Sequence, residues 1–114
     1  MQPPLEGQLV VDLTRYLPGA FASTELLRLG ARVVRVEQPG GDPMRDTAPG
    51  WFDALNAGKE SVVCDLPAEA PFLRALLARA DVILETWRPG VCHRHSARCP
   101  ESVGCPTNKC RSTT

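Results

Sequence analysis

The apolar positions of this chain fall into short runs that alternate with amphipathic stretches as far as residue 87, where the alternation stops. "QLVVDL" (8–13) sets two adjacent valines between Gly7 and the turn-forming "YLPG", which suits a strand buried on both faces. "AFASTELLRLG" (20–30) spaces Phe21, Leu26, Leu27 and Leu29 among polar residues. It ends on Gly30, where a left-handed cap is needed, and therefore predicts a helix. "RVVRVE" (32–37) is β-branched and predicts a second strand, with Glu37 as its solvated end. Strand, helix and strand in succession predict a parallel pair joined by a right-handed crossover.

"QPGGDPMRDTAPG" (38–50) holds three prolines and three glycines, which predicts a mobile loop without regular structure after the carboxyl end of the second strand, where ligands are commonly met. "WFDALNAGKE" predicts one or two helical turns, and "SVVCDL" (61–66) a third strand. "PAEAPFLRALLARA" (67–80) aligns Phe72, Leu73, Leu76, Leu77 and Ala80 on one helical face, with prolines and Glu69 at its entry. "DVILET" (81–86) predicts a fourth strand. The expected fold class is α/β, a partial Rossmann-like parallel sheet in the order β-α-β-loop-β-α-β. Beyond Gly90, "CHRHSARCPESVGCPTNKCRSTT" carries no periodicity and only Val103 as an aliphatic larger than alanine, so it is expected to be disordered.

Composition narrows the partner. Among 114 residues, 13 basic and 13 acidic side chains give a formal net charge of zero, which points to a small molecule or another subunit, with no nucleic acid and no membrane as partner. The start "MQPPLEGQ" has neither the basic nor the apolar segment of a signal peptide, and no apolar run is long enough to span a bilayer, so a cytoplasmic location is expected.

The residues alone suggest three kinds of chemistry. The first strand-turn-helix unit and Glu37 match a nicotinamide site in layout, but "LPGAFA" supplies only Gly19 where three glycines are needed. Cys92, His93, His95, Cys99, Cys105 and Cys110 are zinc-ligand types without the short C-x2-4-C knuckle, so no metal site is expected; a zinc-stapled interaction module is the non-enzymatic alternative. Cys64 ends an apolar strand with no histidine near it in sequence, and is expected to be a buried, inert thiol.

"PLEGQLVVDLTRYLPGAFASTELLRLGARVVRVEQPGGDPMR", "ALNAGKESVVCDL" and "ADVILETWRPGV" together resemble, across residues 4–94, the N-terminal portion of the family III coenzyme A transferases of the CaiB/BaiF type. That group includes formyl-CoA transferase, carnitine CoA-transferase and alpha-methylacyl-CoA racemase. The resemblance implies an enzyme of acyl-CoA metabolism that moves coenzyme A from an acyl thioester to a carboxylic acid; 2-methylacyl-CoA racemisation is the alternative within the group, and a small CoA-binding module stands beside the zinc-stapled one as the non-enzymatic alternative. It implies coenzyme A or acyl-CoA as substrate and cofactor. It assigns the binding contacts to Arg15, Leu17 and Pro18 after the first strand and to Gln38 after the second, where relatives usually carry arginine. Cys64 and Leu66 follow after the third, with Pro67 where lysine is common, and Thr86, Trp87, Arg88 and Arg94 after the fourth.

No catalytic residue is assigned to this chain, because in the resembled family the catalytic carboxylate lies well downstream. Residues 1–91 are thus expected to be the N-terminal coenzyme A-binding part, a truncated enzyme, and residues 92–114 an irregular tail whose composition is that of a GC-rich gene read out of frame. Intact members form interlocked homodimers. This fragment is expected to be unable to form them, to leave sheet edges uncovered, to be marginally stable and to be catalytically silent.

Overall fold

The computed structural model describes residues 2–15, 17–66 and 68–86. Trp87, Arg88 and Arg94, the six candidate zinc ligands between Cys92 and Cys110, and the whole of the expected tail lie outside the described residues. Four strands, β1 (Leu9–Asp12), β2 (Arg32–Glu37), β3 (Glu60–Val63) and β4 (Val82–Leu84), form one parallel sheet in the order β3-β2-β1-β4. Helices α1 (Leu17–Arg28), α2 (Met44–Thr47), α3 (Pro49–Asn56) and α4 (Ala70–Arg79) connect them. The expected α/β class and Rossmann-like parallel sheet are present.

Alternation along the strands builds two apolar layers. Val11, Leu13 and Ile83 meet Leu73 and Leu77 of α4 on one face, together with Cys64. Val10, Val33 and Leu84 meet the partly buried Ala22, Leu26 and Leu27 of α1 on the other. Val10 and Val11 are both sealed from solvent, as a strand covered on two faces requires. The chain thus winds β1-α1-β2, steps outward to β3, and crosses back through α4 to set β4 against the other side of β1.

Several local expectations are corrected. Helix α1 begins three residues before the expected start, because Pro18 and Gly19 fit the first turn, where a missing N–H costs nothing. It ends as expected at Gly30, whose φ of 102° lets its N–H reach Leu27 O while Ala31 N–H reaches Leu26 O. Phe21 and Leu29 are exposed rather than in the core, since α1 approaches the sheet through the small residues Gly19, Ala20 and Ser23. Phe72 of α4 is likewise exposed. Segment 38–50 holds regular structure after all. Gly40 and Gly41 make a turn at φ 91° and 85° while Gly50 lies in the first turn of α3, and Pro43 and Pro49 open α2 and α3. Strand β3 pairs with β2 alone among the described residues, which leaves Glu60, Ser61 and Val63 exposed on an edge rather than buried.

Candidate functional site: a cleft at the carboxyl ends of the strands

The chain leaves the carboxyl ends of β1, β2 and β3 through three segments that enclose one cleft of about 460 Å³. Leu13, Thr14 and Arg15 come from the end of β1, Val36 to Pro39 with Asp42 and Pro43 from the end of β2, and Cys64, Asp65 and Leu66 from the end of β3. Open parallel sheets take their ligands at the carboxyl ends of their strands; in this sheet the order reverses between β1 and β4, and the cleft lies on the β1-β2-β3 side of that point. The floor is continuous with the α4-side core, since Leu13 and Cys64 belong to it and Val36 and Leu66 pack against it. Proline rings flank that floor, and Arg15 is the one cation among the described lining residues. Three carboxylates, Glu37, Asp42 and Asp65, also line the cleft, the first two paired with Arg45 and Arg35.

Four of the candidate residues, Arg15, Gln38, Cys64 and Leu66, therefore meet at one place. The Arg15 Nη2 donates to Gln38 Oε1 at 2.7 Å, joining the ends of β1 and β2 across the cleft mouth. Thr86 does not line the cleft but accepts the Arg15 backbone N–H on Oγ1 at 3.2 Å, which ties the end of β4 to the turn after β1. Leu17 and Pro18 stand exposed in the first turn of α1, outside the lining. Cys64 is buried, and burial, followed by the charges of Glu69 and Asp65, pushes its thiol above the ordinary range, so it stays protonated and unreactive at neutral pH.

Periodicity did not reveal what holds the cleft in place. Glu37, expected to be solvated, is 5% exposed. Its Oε1 accepts from Arg45 Nε and its Oε2 from Arg45 Nη2, both at 2.9 Å, while Ser61 Oγ donates to Oε2 at 2.6 Å. Burial alone would raise this carboxyl, but the hydrogen bonds from Arg45, Ser61 and the Asp42 N–H, with the Arg45 charge, hold it below the ordinary range. Deeper on the α1 side lies a second set. Arg35 Nη2 donates to Asp42 Oδ2 at 2.6 Å, Nη1 donates to Asn56 Oδ1 at 2.9 Å, and Nη1 lies 3.7 Å from Asp12 Oδ2. Asp12 also accepts from the Thr14 N–H and hydroxyl and from Ser23. Phe52 of α3 packs under both guanidinium groups, with its centroid 4.2 Å from Arg45 and 5.5 Å from Arg35. A charged residue inside the apolar run of β2, with Glu37, Asp42 and Arg45 close behind it, was the available sequence signal.

Lys59 donates to Ala20 O and Asn56 Oδ1, and burial lowers its pKa to about 8, with Asp12 opposing and Arg35 adding to the shift. The unfolded chain then binds the extra proton between pH 8 and the ordinary value of 10.5, so Lys59 makes stability rise with pH through that window. The rise is on the order of 1 kcal/mol once solvent screening of a half-buried ammonium is allowed for. Cys64 acts in the opposite sense above pH 9, so the Lys59 part is isolated by comparison with Lys59→Met. Urea unfolding of the two proteins at pH 7.5 and 10 should show the wild type gaining on the variant; a constant difference would mean that Lys59 keeps its ordinary pKa.

The fold and cleft define the class, an open parallel α/β domain with a ligand crevice at the strand carboxyl ends. The chain belongs to CoA-transferase family III, whose model matches residues 5–100. It is 44% identical over 101 residues to the acetyl-CoA:oxalate CoA-transferase of Acetobacter aceti, covering 80% of this chain and 26% of that protein. It is 37% identical over 97 residues to the succinyl-CoA:glutarate CoA-transferase of Mus musculus, covering 76% and 22%. Among solved structures, a CAIB/BAIF family protein from Brucella suis superposes with a TM-score of 0.75 at 33% identity, covering 83% of this chain and 29% of that one. A hypothetical protein from Mycobacterium tuberculosis gives 0.74 at 38% identity, covering 82% and 28%. The chain thus spans about a quarter of the length of the curated relatives it matches. Among the described residues no helix is long and apolar enough to cross a membrane, and no group of three or more His, Cys, Asp or Glu side chains is placed to hold a metal.

Proposed function

We propose that this chain supplies part of the coenzyme A-binding half of a family III CoA-transferase, which in the intact protein passes coenzyme A between an acyl thioester and a carboxylic acid. The supporting observation is the meeting of Arg15, Gln38, Cys64 and Leu66 from three loops in one cleft at the ends of the strands, in a chain of this family. Leu66 and Cys64 form the apolar bed for the adenine, Arg15 pairs with a phosphate, and Gln38 and Thr86 hold Arg15 in place. Leu17 and Pro18 shape the first turn of the helix beside the cleft, and Trp87, Arg88 and Arg94, outside the described residues, are assigned to the site by the family resemblance alone. No residue of this chain is assigned a catalytic role, so it is expected to bind coenzyme A without turnover.

Calorimetric titration with coenzyme A and with dephospho-coenzyme A tests this reading. Saturable binding that weakens without the 3′-phosphate, and no thioester exchange between acyl-CoA and added carboxylates, is the expected result; absence of saturable binding overturns it. Gln38→Arg should tighten coenzyme A binding by about three- to tenfold, because it sets a second guanidinium beside Arg15 where an anion can be shared. The gain should shrink as salt rises. Unchanged or weaker binding would place the phosphates away from the end of β2.

A further inference from the structure

Segment 38–45 is cross-tied at two points, Glu37 to Arg45 and Asp42 to Arg35. Glu37 immediately precedes the segment and Arg45 closes it, so their paired hydrogen bonds clasp its two ends. Between them Gly41 N–H donates to Gln38 O at 2.9 Å, and Asp42, held by Arg35, takes the Met44 N–H on its other oxygen at 2.8 Å. The Asp42 N–H turns back to Glu37 at 3.3 Å. Glu37 and Asp42 of this clasp line the cleft together with Gln38, Pro39 and Pro43, and Gln38 in turn holds Arg15. Arg45 itself does not line the cleft.

We infer that Arg45 is a positioning residue: by clasping Glu37 it fixes the turn that aims Gln38 at Arg15, so that the cleft's cation is already oriented before an anionic ligand arrives. Ordering a long arginine side chain at the moment of binding would weaken affinity, and the clasp has done that ordering beforehand. Arg45 is half-exposed, but it covers the Phe52 ring and pairs with buried Glu37, so its removal also costs stability, and the positioning role is separated from that cost only by comparing backgrounds. As regards the ligand, the inference rests on the coenzyme A reading above; as regards the geometry of Gln38, it does not.

The test uses the full chain and reads two quantities. In the ligand-free protein, the side-chain amide resonances of Gln38 should shift or broaden in Arg45→Met and return part of the way in Arg45→Lys, which restores charge but one hydrogen bond in place of the fork. Unmoved Gln38 resonances in Arg45→Met overturn the inference whatever the ligand. With coenzyme A as probe, Arg45→Met should weaken binding by about fivefold in the wild-type background and leave it nearly unchanged in Gln38→Ala, while its cost to urea stability is the same in both. Equal weakening in the two backgrounds is what a purely structural role would give, and overturns the inference. Should the wild type fail to bind coenzyme A while Gln38 still responds to Arg45, the functional reading falls and the positioning of Gln38 stands.

Discussion

Arg35→Met is expected to destabilise the chain by about 3–5 kcal/mol, the cost of stranding buried partners of a removed charge. Arg35 is 3% exposed and sits opposite Asp12 in the β1–β2 register, so one guanidinium serves carboxylates from β1 and from the loop after β2. Methionine would fill much of the volume but, among the described residues, leave the Asp42 carboxylate with the Met44 N–H alone as a hydrogen-bond donor, and Asp12 with the Lys59 charge but without its guanidinium partner. Asn56 would keep Lys59 as a donor, so the loss concentrates on the two acids. Arg35→Lys should cost less but still be clearly destabilising, since a single ammonium cannot reach Asn56 and Asp42 as the fork does. Urea denaturation followed by far-ultraviolet circular dichroism measures both. A loss under about 1 kcal/mol for Arg35→Met would mean that water reaches these acids and that the cluster is a surface network. A partial recovery on adding Asp42→Asn to Arg35→Met would locate the stranded charge.

How much of this arrangement was legible beforehand divides along physical lines. The strands and the two long helices announce themselves, because a sheet covered on both faces needs unbroken apolar runs such as "QLVV" and because α4 must set Leu73 and Leu77 on one stripe. Gly30 announces the end of α1, since only glycine takes its positive φ without strain. The resemblance then named Arg15, Gln38, Cys64 and Leu66, which the fold brings to one cleft.

Two features escaped. Helices α2 and α3 were hidden by a composition of prolines and glycines that reads as a breaker, although Pro43 and Pro49 stand where a helix begins and Gly40 and Gly41 only turn the chain. The burial of Glu37 and Asp42 was hidden for a deeper reason. Hydrophobic periodicity reports which face a residue occupies, not whether Arg35 or Arg45 will come to meet a carboxylate there, and such pairing depends on contacts between loops that local pattern does not encode. The same holds for Gly19, counted at first only as one glycine of a dinucleotide motif that lacked the others.

Gly19→Ala is expected to cost about 3 kcal/mol, combining overpacking with loss of a buried hydrogen bond. A β-carbon added at Gly19 would lie 2.2 Å from both Cβ and Oγ1 of Thr14 and 2.6 Å from its Cγ2. None of these is the free end of a flexible chain, and Thr14 cannot swing aside cheaply, because its N–H and hydroxyl both donate to buried Asp12. Relief must come from lifting the first turn of α1 or from breaking the Thr14–Asp12 bonds. Either movement reaches the cleft, since Thr14 lines it beside Arg15. The variant should therefore lose coenzyme A affinity along with stability. Thr14→Gly provides the control: it removes the three atoms nearest the new methyl, so Gly19→Ala should cost much less in that background when the two unfolding curves are compared. Equal cost in both backgrounds would show that Gly19 is required for the path of the backbone and not for the space it leaves, and the coupling between helix start and cleft would have to run through something other than Thr14.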